Sequence, residues 1–305
     1  MGIIVYQFNE NEKVGIMREY VITTDSNCDM DPVYLAENEV GVIPHYYTVE
    51  DKVYGDGEEL TIEEFYDALR EGKHATTMAS NPEVIKECFE EYAKQNKDIL
   101  HISFSSALSV AYDNIVGGAN EIMARYPEMK IIVIDTRSAS LGEGIMICKA
   151  LEMKREGKTL DETAEWVRVH CPHLNIQFTV DDLNFLYRGG RLSRSSAILG
   201  TVIDIKPLLY FDKEGMLVPF DKVRGRKKVL TTLVDNMAAR LGEYKDKQVF
   251  IGVVHGDCEM DARYVANMIT ERFGYTDITI RPIGPSIGVH SGPGAVALIF
   301  LGDLK

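Results

Sequence analysis

The sequence has little that would carry it into a membrane or out of the cell. Within its 305 residues no apolar run approaches the roughly 20 residues that cross a bilayer. The longest uninterrupted run, residues 295–301, has the length of a buried strand. Near the start, residues 3–5 are too short for the apolar core of a signal peptide. We therefore expect no stable membrane insertion.

Cysteine and positive charge are also scarce. The five cysteines are scattered and odd in number, and they never form a Cys-x-x-Cys pair, which favours free thiols in a reducing cytoplasm. The 33 basic residues are outnumbered by 47 acidic ones, for a net charge of −14. A chain this acidic repels phosphate backbones, so nucleic acid is not an expected partner.

Several cofactor signatures are missing. The sequence contains no G-x-x-x-x-G-K-[ST] phosphate loop, and no G-x-G-x-x-G follows a strand. The cluster His170-Cys171-Pro172-His173 lacks a second pair of metal ligands, so a structural role is favoured over a metal site. No cofactor and no metal are predicted.

The first half of the chain alternates between strand and helix signals. Apolar strands are predicted at residues 20–24, 99–104 and 131–135, with helices between them that open on capping boxes such as Thr61-x-x-Glu64. This alternation is typical of a parallel sheet covered on both faces. We predict an N-terminal α/β domain over residues 17–168.

After about residue 172 the pattern changes. Two apolar stretches flank Asp212-Lys213-Glu214-Gly215, which predicts a β-hairpin, and further strands and helices follow. We predict a second α/β domain over residues 169–305 with a mixed or antiparallel sheet.

Hydroxyl groups dominate the positions where a ligand is expected. Ser105 and Ser106 follow a predicted strand, and Thr76 and Thr77 are predicted in a loop between two helices. Ligands of open α/β sheets gather beyond the carboxyl ends of the strands, and hydroxyls can bind a carboxylate or phosphate there. Each of these residues could instead cap a helix.

Three motifs mark the second domain. LYRGGRLSR (residues 186–194) turns tightly before Arg191, KVRGRKK (residues 222–228) is a basic run, and GPSIGVHSGPG (residues 284–294) predicts a glycine-rich loop that carries His290. The basic run could be a solvated helix start, and His290 could be a hydrogen-bonded structural histidine.

From residue 20 to 301 the sequence resembles the DegV family of bacterial fatty-acid-binding proteins, whose better-known members serve a fatty acid kinase. The most specific stretches are FTVDDLNFLYRGGRLS (residues 178–193), IKPLLYFDKEGMLVPFDKVRGRKK (residues 205–228) and IGPSIGVHSGPGAV (residues 283–296). The resemblance implies two α/β domains with a fatty acid in an apolar tunnel between them. Its usual TSQP and SGT motifs are altered here, at Met78, Ala79 and Ser80 and at Val110 and Ala111, which bears on the identity of the ligand.

The resemblance also implies roles for individual residues. Those expected around the fatty-acid carboxylate are Thr76, Thr77, Ser105, Ser106, His290 and Arg191. We add as candidate tunnel walls Ile198, Leu199, Val202, Ile203 and Leu208, for which ordinary core packing is the alternative.

We predict a non-catalytic carrier that presents the carboxylate of its fatty acid to a fatty acid kinase, which would form the acyl phosphate. The basic residues expected to dock that kinase by complementary charge are Arg224, Arg226, Lys227 and Lys228. The alternative is a small-molecule transferase or hydrolase that uses His290 and neighbouring serines or threonines. For the hydrolase, Gly284-Pro285-Ser286-Ile287-Gly288 matches G-x-S-x-G, but no helix is predicted after the serine.

Overall fold

Within residues 18–55, 57–193 and 204–303, which the computed structural model describes, the strands form three sheets. The strands in chain order are β1 (Tyr20–Asp25), β2 (Gly41–Ile43), β3 (Tyr46–Val49), β4 (Lys52–Tyr54), β5 (Ala75–Met78), β6 (Asp98–Ser103), β7 (Ile131–Asp135), β8 (Leu174–Thr179), β9 (Ile205–Phe211), β10 (Leu217–Arg224), β11 (Ile251–His255), β12 (Ile278–Pro282) and β13 (Val296–Leu301). The α-helices are α1 (Pro32–Glu37), α2 (Ile62–Arg70), α3 (Pro82–Lys94), α4 (Ala111–Arg125), α5 (Leu141–Arg155), α6 (Leu160–His170), α7 (Asn184–Arg188), α8 (Arg226–Arg240), α9 (Glu259–Phe273) and α10 (Pro285–Ser291).

The first sheet is entirely parallel, in the order β2-β1-β6-β7. Its central strands β1 and β6 are buried along their whole length, as continuous apolar runs in parallel sheets usually are. Side chains of α3 and α4 pack on one face of the sheet, and those of α5 and α6 pack on the other. This is the arrangement that the alternating pattern predicts.

The second sheet is mixed, in the order β10-β9-β8-β13-β11-β12. Its only parallel pair among the described strands is β11 with β12. The predicted hairpin joins β9 to β10, and Asp212 accepts hydrogen bonds from the backbone of Glu214 and Met216 in its turn. Helices α8 and α9 cover one face of this sheet.

Helix α5 connects the two sheets. It contacts β1 and β6 of the first sheet and β8, β11 and β13 of the second. Its first seven residues are all buried, because it is enclosed on every side. Gly252 of β11 lies against Leu141, where a side chain would crowd the helix. The first turn of α5 is thereby fixed at the junction of the two halves.

A small antiparallel sheet, β4-β3-β5, packs with α2 and α10 around Tyr47, Phe65 and Tyr66. Here two predictions are wrong. Thr76 and Thr77 lie on the strand β5 and not in a loop, because β5 pairs with β3 about 30 residues earlier in the chain. The glycine-rich stretch before β13 contains the helix α10.

The predicted domain boundary between residues 168 and 169 falls within α6 and stays a prediction. Among the described residues, none of the helices combines the length and the apolar character that crossing a bilayer requires.

Candidate functional site

A cavity of about 460 Å³ lies where the carboxyl ends of the first sheet meet the second sheet. This volume falls within the usual range for small-molecule sites. Most of its wall is apolar and is contributed by the loops that follow the strands of the first sheet, by the second sheet and by α10. The larger apolar side chains on the wall are Met78, Phe104, Leu108, Ile176, Phe178, Leu186, Phe211, Leu217, Ile283, Ile287 and Ile299. Such a wall suits a hydrocarbon and gives little to a polar ligand.

Arg191 is the one cationic side chain on the described wall of this cavity, which carries no carboxylate. Its Nε donates to the carbonyl of Leu108 at 2.9 Å and its Nη1 to the carbonyl of Gly189 at 2.6 Å. Gly190, with φ of +71°, makes the turn that brings the arginine back over α7. Burial lowers the pKa of the guanidinium, yet it remains charged at neutral pH. Two of its five N–H groups bind backbone, so donors remain for an anion.

His290 lies beside Arg191 and shares a hydrogen bond of 2.9 Å between its Nε2 and Oγ1 of Thr77. Burial, and then the positive charge of Arg191, lower the pKa of His290 to about 3. The imidazole is therefore neutral at physiological pH and can bind a carboxylate only as a hydrogen-bond donor. Thr77, His290 and Arg191 together form a polar end to the cavity.

Of the two predicted serines, only Ser106 lies on the cavity wall. Its hydroxyl donates to Oδ2 of Asp135 at 2.6 Å, so its single hydrogen is already in use. Ser105 is fully buried and donates to the carbonyl of Gly215 in the β9–β10 turn at 3.1 Å. Ser105 thus anchors a hairpin and does not face the cavity.

Thr76 does not line the cavity either. Successive side chains of a strand point to opposite faces, so Thr76 points away when Thr77 points inward. Its hydroxyl shares a hydrogen bond of 2.8 Å with that of Thr48, on the exposed face of the small sheet.

Four of the five candidate tunnel residues, Ile198, Leu199, Val202 and Ile203, lie outside the described residues. Leu208 is fully buried, but it packs under α8 with Val229 and Leu233, on the face of the second sheet opposite the cavity. It is a core residue, and Phe211, three positions further along β9, lines the cavity in its place.

The altered motif positions bear directly on the site. Met78, Ala79 and Val110 line the cavity, whereas Ser80 and Ala111 are buried beside it without lining it. Met78 is 48% exposed and Val110 is 65% exposed. These two side chains therefore extend from the wall to the surface and mark an apolar opening.

Asp25, the last residue of β1, is fully buried and does not line the cavity. It accepts hydrogen bonds from Oγ of Ser103 at 3.0 Å and from the backbone N–H of Phe104 at 2.8 Å. Burial opposes its ionisation, but His101 and His45, at 3.6 and 3.5 Å, outweigh burial and hold its pKa well below the usual range. Asp25 shapes the turn after β6.

The residues proposed for a hydrolase do not form a catalytic triad. Ser286 lies on the cavity wall at the start of α10, so a helix does follow the serine, contrary to the prediction. However, Nε2 of His290 is bonded to Thr77. Asp303, the one acidic residue after His290 in the sequence, lies near Arg240 and away from the cavity. Among the described residues no group of three or more potential ligands is arranged for a metal ion.

The predicted docking residues lie around the start of α8. One of them is ion-paired within the protein, and the other three are exposed. Arg226 pairs with Asp261 at 2.8 Å and with Asp181 at 3.4 Å. Arg224, Lys227 and Lys228 are exposed, and the ammonium group of Lys227 lies 5.5 Å from the centre of the Tyr264 ring. Arg226 is therefore occupied within the protein.

The fold and the cavity define a two-domain α/β protein that encloses an apolar cavity with one cationic end. The chain matches the DegV family model over residues 19–303, and it belongs to the DegV family. The family predicted from the sequence motifs is thus confirmed.

Relatives extend over nearly the whole chain. A DegV domain-containing protein of Clostridium perfringens is 39% identical over 291 residues, which are 95% of this chain and 99% of that protein. A fatty-acid-binding DegV family protein of Streptococcus agalactiae is 27% identical with a TM-score of 0.81, over 94% of this chain and 99% of that structure. A DegV family structure from Ruminococcus gnavus, described with vaccenic acid, is 26% identical with a TM-score of 0.83, over 92% and 99%. These comparisons confirm the predicted fold class.

Proposed function

We propose that this protein binds one long-chain fatty acid in the cavity between its two sheets, with the carboxylate against Arg191, Thr77 and His290. The observation that carries the proposal is an apolar wall with a single, partly buried cation and no carboxylate among the described lining residues. A neutral lipid would leave that cation unpaired, and a polar metabolite would leave the apolar wall unused. Relatives described as binding fatty acids support the same ligand class.

The hydrocarbon chain would supply most of the affinity. Burial of about 16 methylene groups at ~0.8 kcal/mol each contributes more than ~10 kcal/mol before the cost of immobilising the chain. The carboxylate then needs only hydrogen-bond partners to replace the water that it loses. A charge-assisted hydrogen bond from Arg191 would do most of this, because the hydroxyl hydrogen of Ser106 is taken by Asp135.

We further propose that the bound carboxylate is presented to a fatty acid kinase, which phosphorylates it. The exposed basic groups of Arg224, Lys227 and Lys228 form a local positive patch on a chain of net charge −14, and such a patch would dock an acidic face of the partner. Arg226 would act indirectly, since its ion pairs with Asp181 and Asp261 fix the start of α8. All five cysteines are free thiols, which supports a location in the reducing cytoplasm.

The test is the identity of the lipid that the purified protein retains. Native mass spectrometry, and gas chromatography of an organic extract, should show one long-chain fatty acid per chain. After lipid removal, titration calorimetry should show that oleate or palmitate binds again. A protein that carries no lipid and has no measurable affinity for either acid would refute the assignment.

A further inference from the structure

Helix α10, which forms part of the cavity wall, is anchored at its N-terminal end by an acidic side chain from the first half of the chain. Asp29 follows the short 3-10 turn Ser26–Cys28 at the end of β1. One of its carboxylate oxygens accepts the backbone N–H of Gly284 at 2.8 Å, and the other accepts the hydroxyl of Ser140. A Cβ at position 284 would lie 2.8 Å from the carboxylate, so glycine is needed for this approach.

The backbone around this contact is held in an unusual conformation. Asp29 has φ of +50° and Ser140, which precedes α5, has φ of +57°, a region that residues with side chains seldom adopt. The backbone N–H of Ser140 also donates to the carbonyl of Asn27 at 3.1 Å. Strained conformations persist where surrounding contacts hold them. Three separate segments are therefore joined at one carboxylate.

At its other end α10 is held by the hydrogen bond between His290 and Thr77. Ile287, between the two ends, lines the cavity. We infer that Asp29 is a positioning residue of the fatty-acid site, because it anchors α10 and so sets the place of His290 on the cavity wall. This inference rests on the proposed function for its consequence, which is an effect on fatty-acid affinity.

The anchor has a protonation state that can change near neutrality. Removal from solvent raises the pKa of Asp29 to about 7, although Ser140, Gly284 and Arg281 oppose this. The other titratable groups near it are Cys28, Glu143 on α5 and Tyr66 on α2. Ionised, the carboxylate accepts from both partners, whereas the protonated acid must use one oxygen as a donor. The anchor is therefore strongest above about pH 7.

Two substitutions separate these states. Asp29→Ala removes both contacts and should weaken oleate binding roughly tenfold at about pH 8, as expected for the loss of a charge-assisted hydrogen bond. Asp29→Asn has one accepting oxygen and one donating amide, so it imitates the protonated acid. Its affinity for oleate should equal that of the wild type at about pH 5.5 and fall below it as the pH passes about 7. The ratio of the two affinities cancels the ionisation of the ligand itself.

The matched control is Asp31→Asn, which perturbs the nearby ion pair with Arg281 and keeps an oxygen to cap α1. It should bind oleate within about twofold of the wild type at every pH. Hydrogen exchange of the α10 amides gives a readout without ligand, and it should be faster in Asp29→Ala.

Wild-type affinity together with wild-type exchange in Asp29→Ala would overturn the inference, and so would a pH-independent ratio for Asp29→Asn. If Asp29→Ala does not fold, the pH dependence of oleate affinity in Asp29→Asn is sufficient to test the inference. If the wild type itself fails to bind oleate, the proposed function is wrong. Hydrogen exchange of the α10 amides would then still test whether Asp29 anchors the helix.

Discussion

Arg191 provides the sharpest test of the site. Arg191→Gln removes the partly buried cation but keeps a polar side chain. Hydrogen bonds to charged groups contribute about 1.5–3 kcal/mol, so oleate affinity should fall roughly 10- to 150-fold. The hydrocarbon contribution of more than ~10 kcal/mol is untouched, so binding should remain measurable by titration calorimetry on lipid-free protein.

A neutral ligand separates the charge effect from distortion of the cavity. Arg191 also binds the carbonyls of Leu108 and Gly189, so its replacement could reshape the wall. Oleyl alcohol has the same chain without the charge, and its affinity should change far less than that of oleate. Arg188→Gln is the matched control, because Arg188 is exposed on α7 and stacks on the ring of Phe185 at 4.8 Å. Equal losses for acid and alcohol, or an equal loss in Arg188→Gln, would refute the pairing of Arg191 with the carboxylate.

Three further predictions concern the neighbourhood of the site. Gly189→Ala has an acceptable φ of −71°, but its methyl group would collide with the imidazole of His290, so oleate binding should weaken; Gly117→Ala on α4, where space is open, should bind normally. Arg224→Glu combined with Lys228→Glu should reduce kinase-coupled phosphorylation and leave the oleate Kd unchanged, and a parallel loss of both would contradict docking. The pKa of His290 is about 3 in the folded protein and 6.5 in the unfolded chain, so its contribution to stability is present above about pH 6.5 and is lost as the pH falls towards 3. In urea unfolding, His290→Gln should lose less unfolding free energy than the wild type over that pH range. An equal loss in both proteins would show that the histidine is not buried as a neutral group.

The parts of the fold that were predicted correctly are those specified by local patterns. The capping box predicted at Thr61 forms with Glu64, and a second one pairs Thr159 with Glu162. The apolar runs became buried parallel strands, and the acidic turn before Gly215 became a hairpin. Such features depend on neighbours within a few residues, so the sequence displays them directly.

The parts that were missed depend on distant partners. The four residues of β5 form a strand only because β3 lies beside them. Helix α10 contains one glycine and two serines, poor helix formers. It is held by Asp29 and by the hydroxyl of Tyr66, which donates to the carbonyl of Ile283 at 3.0 Å. The pairing of Ser106 with Asp135 likewise joins the ends of two neighbouring strands. No local pattern predicts which hydroxyl of a serine-rich loop is already bonded.

That pairing changes the chemical account of the head-group site. The sequence favours a carboxylate held by several alcohols and an imidazole, but most of those groups bind one another or the protein: Ser105 binds Gly215, Ser106 binds Asp135, and Thr77 binds His290. Arg191 is the charged group that keeps spare donors, beside Nδ1 of His290, which has no partner among the described residues, and burial already disfavours the charge of the arginine. An anion that enters the cavity offsets this cost, whereas an alcohol or ester of the same chain length does not. If the protein binds a fatty acid as proposed, its selection of an acid over a neutral lipid would follow from a cation that is only partly hydrogen-bonded before the ligand binds.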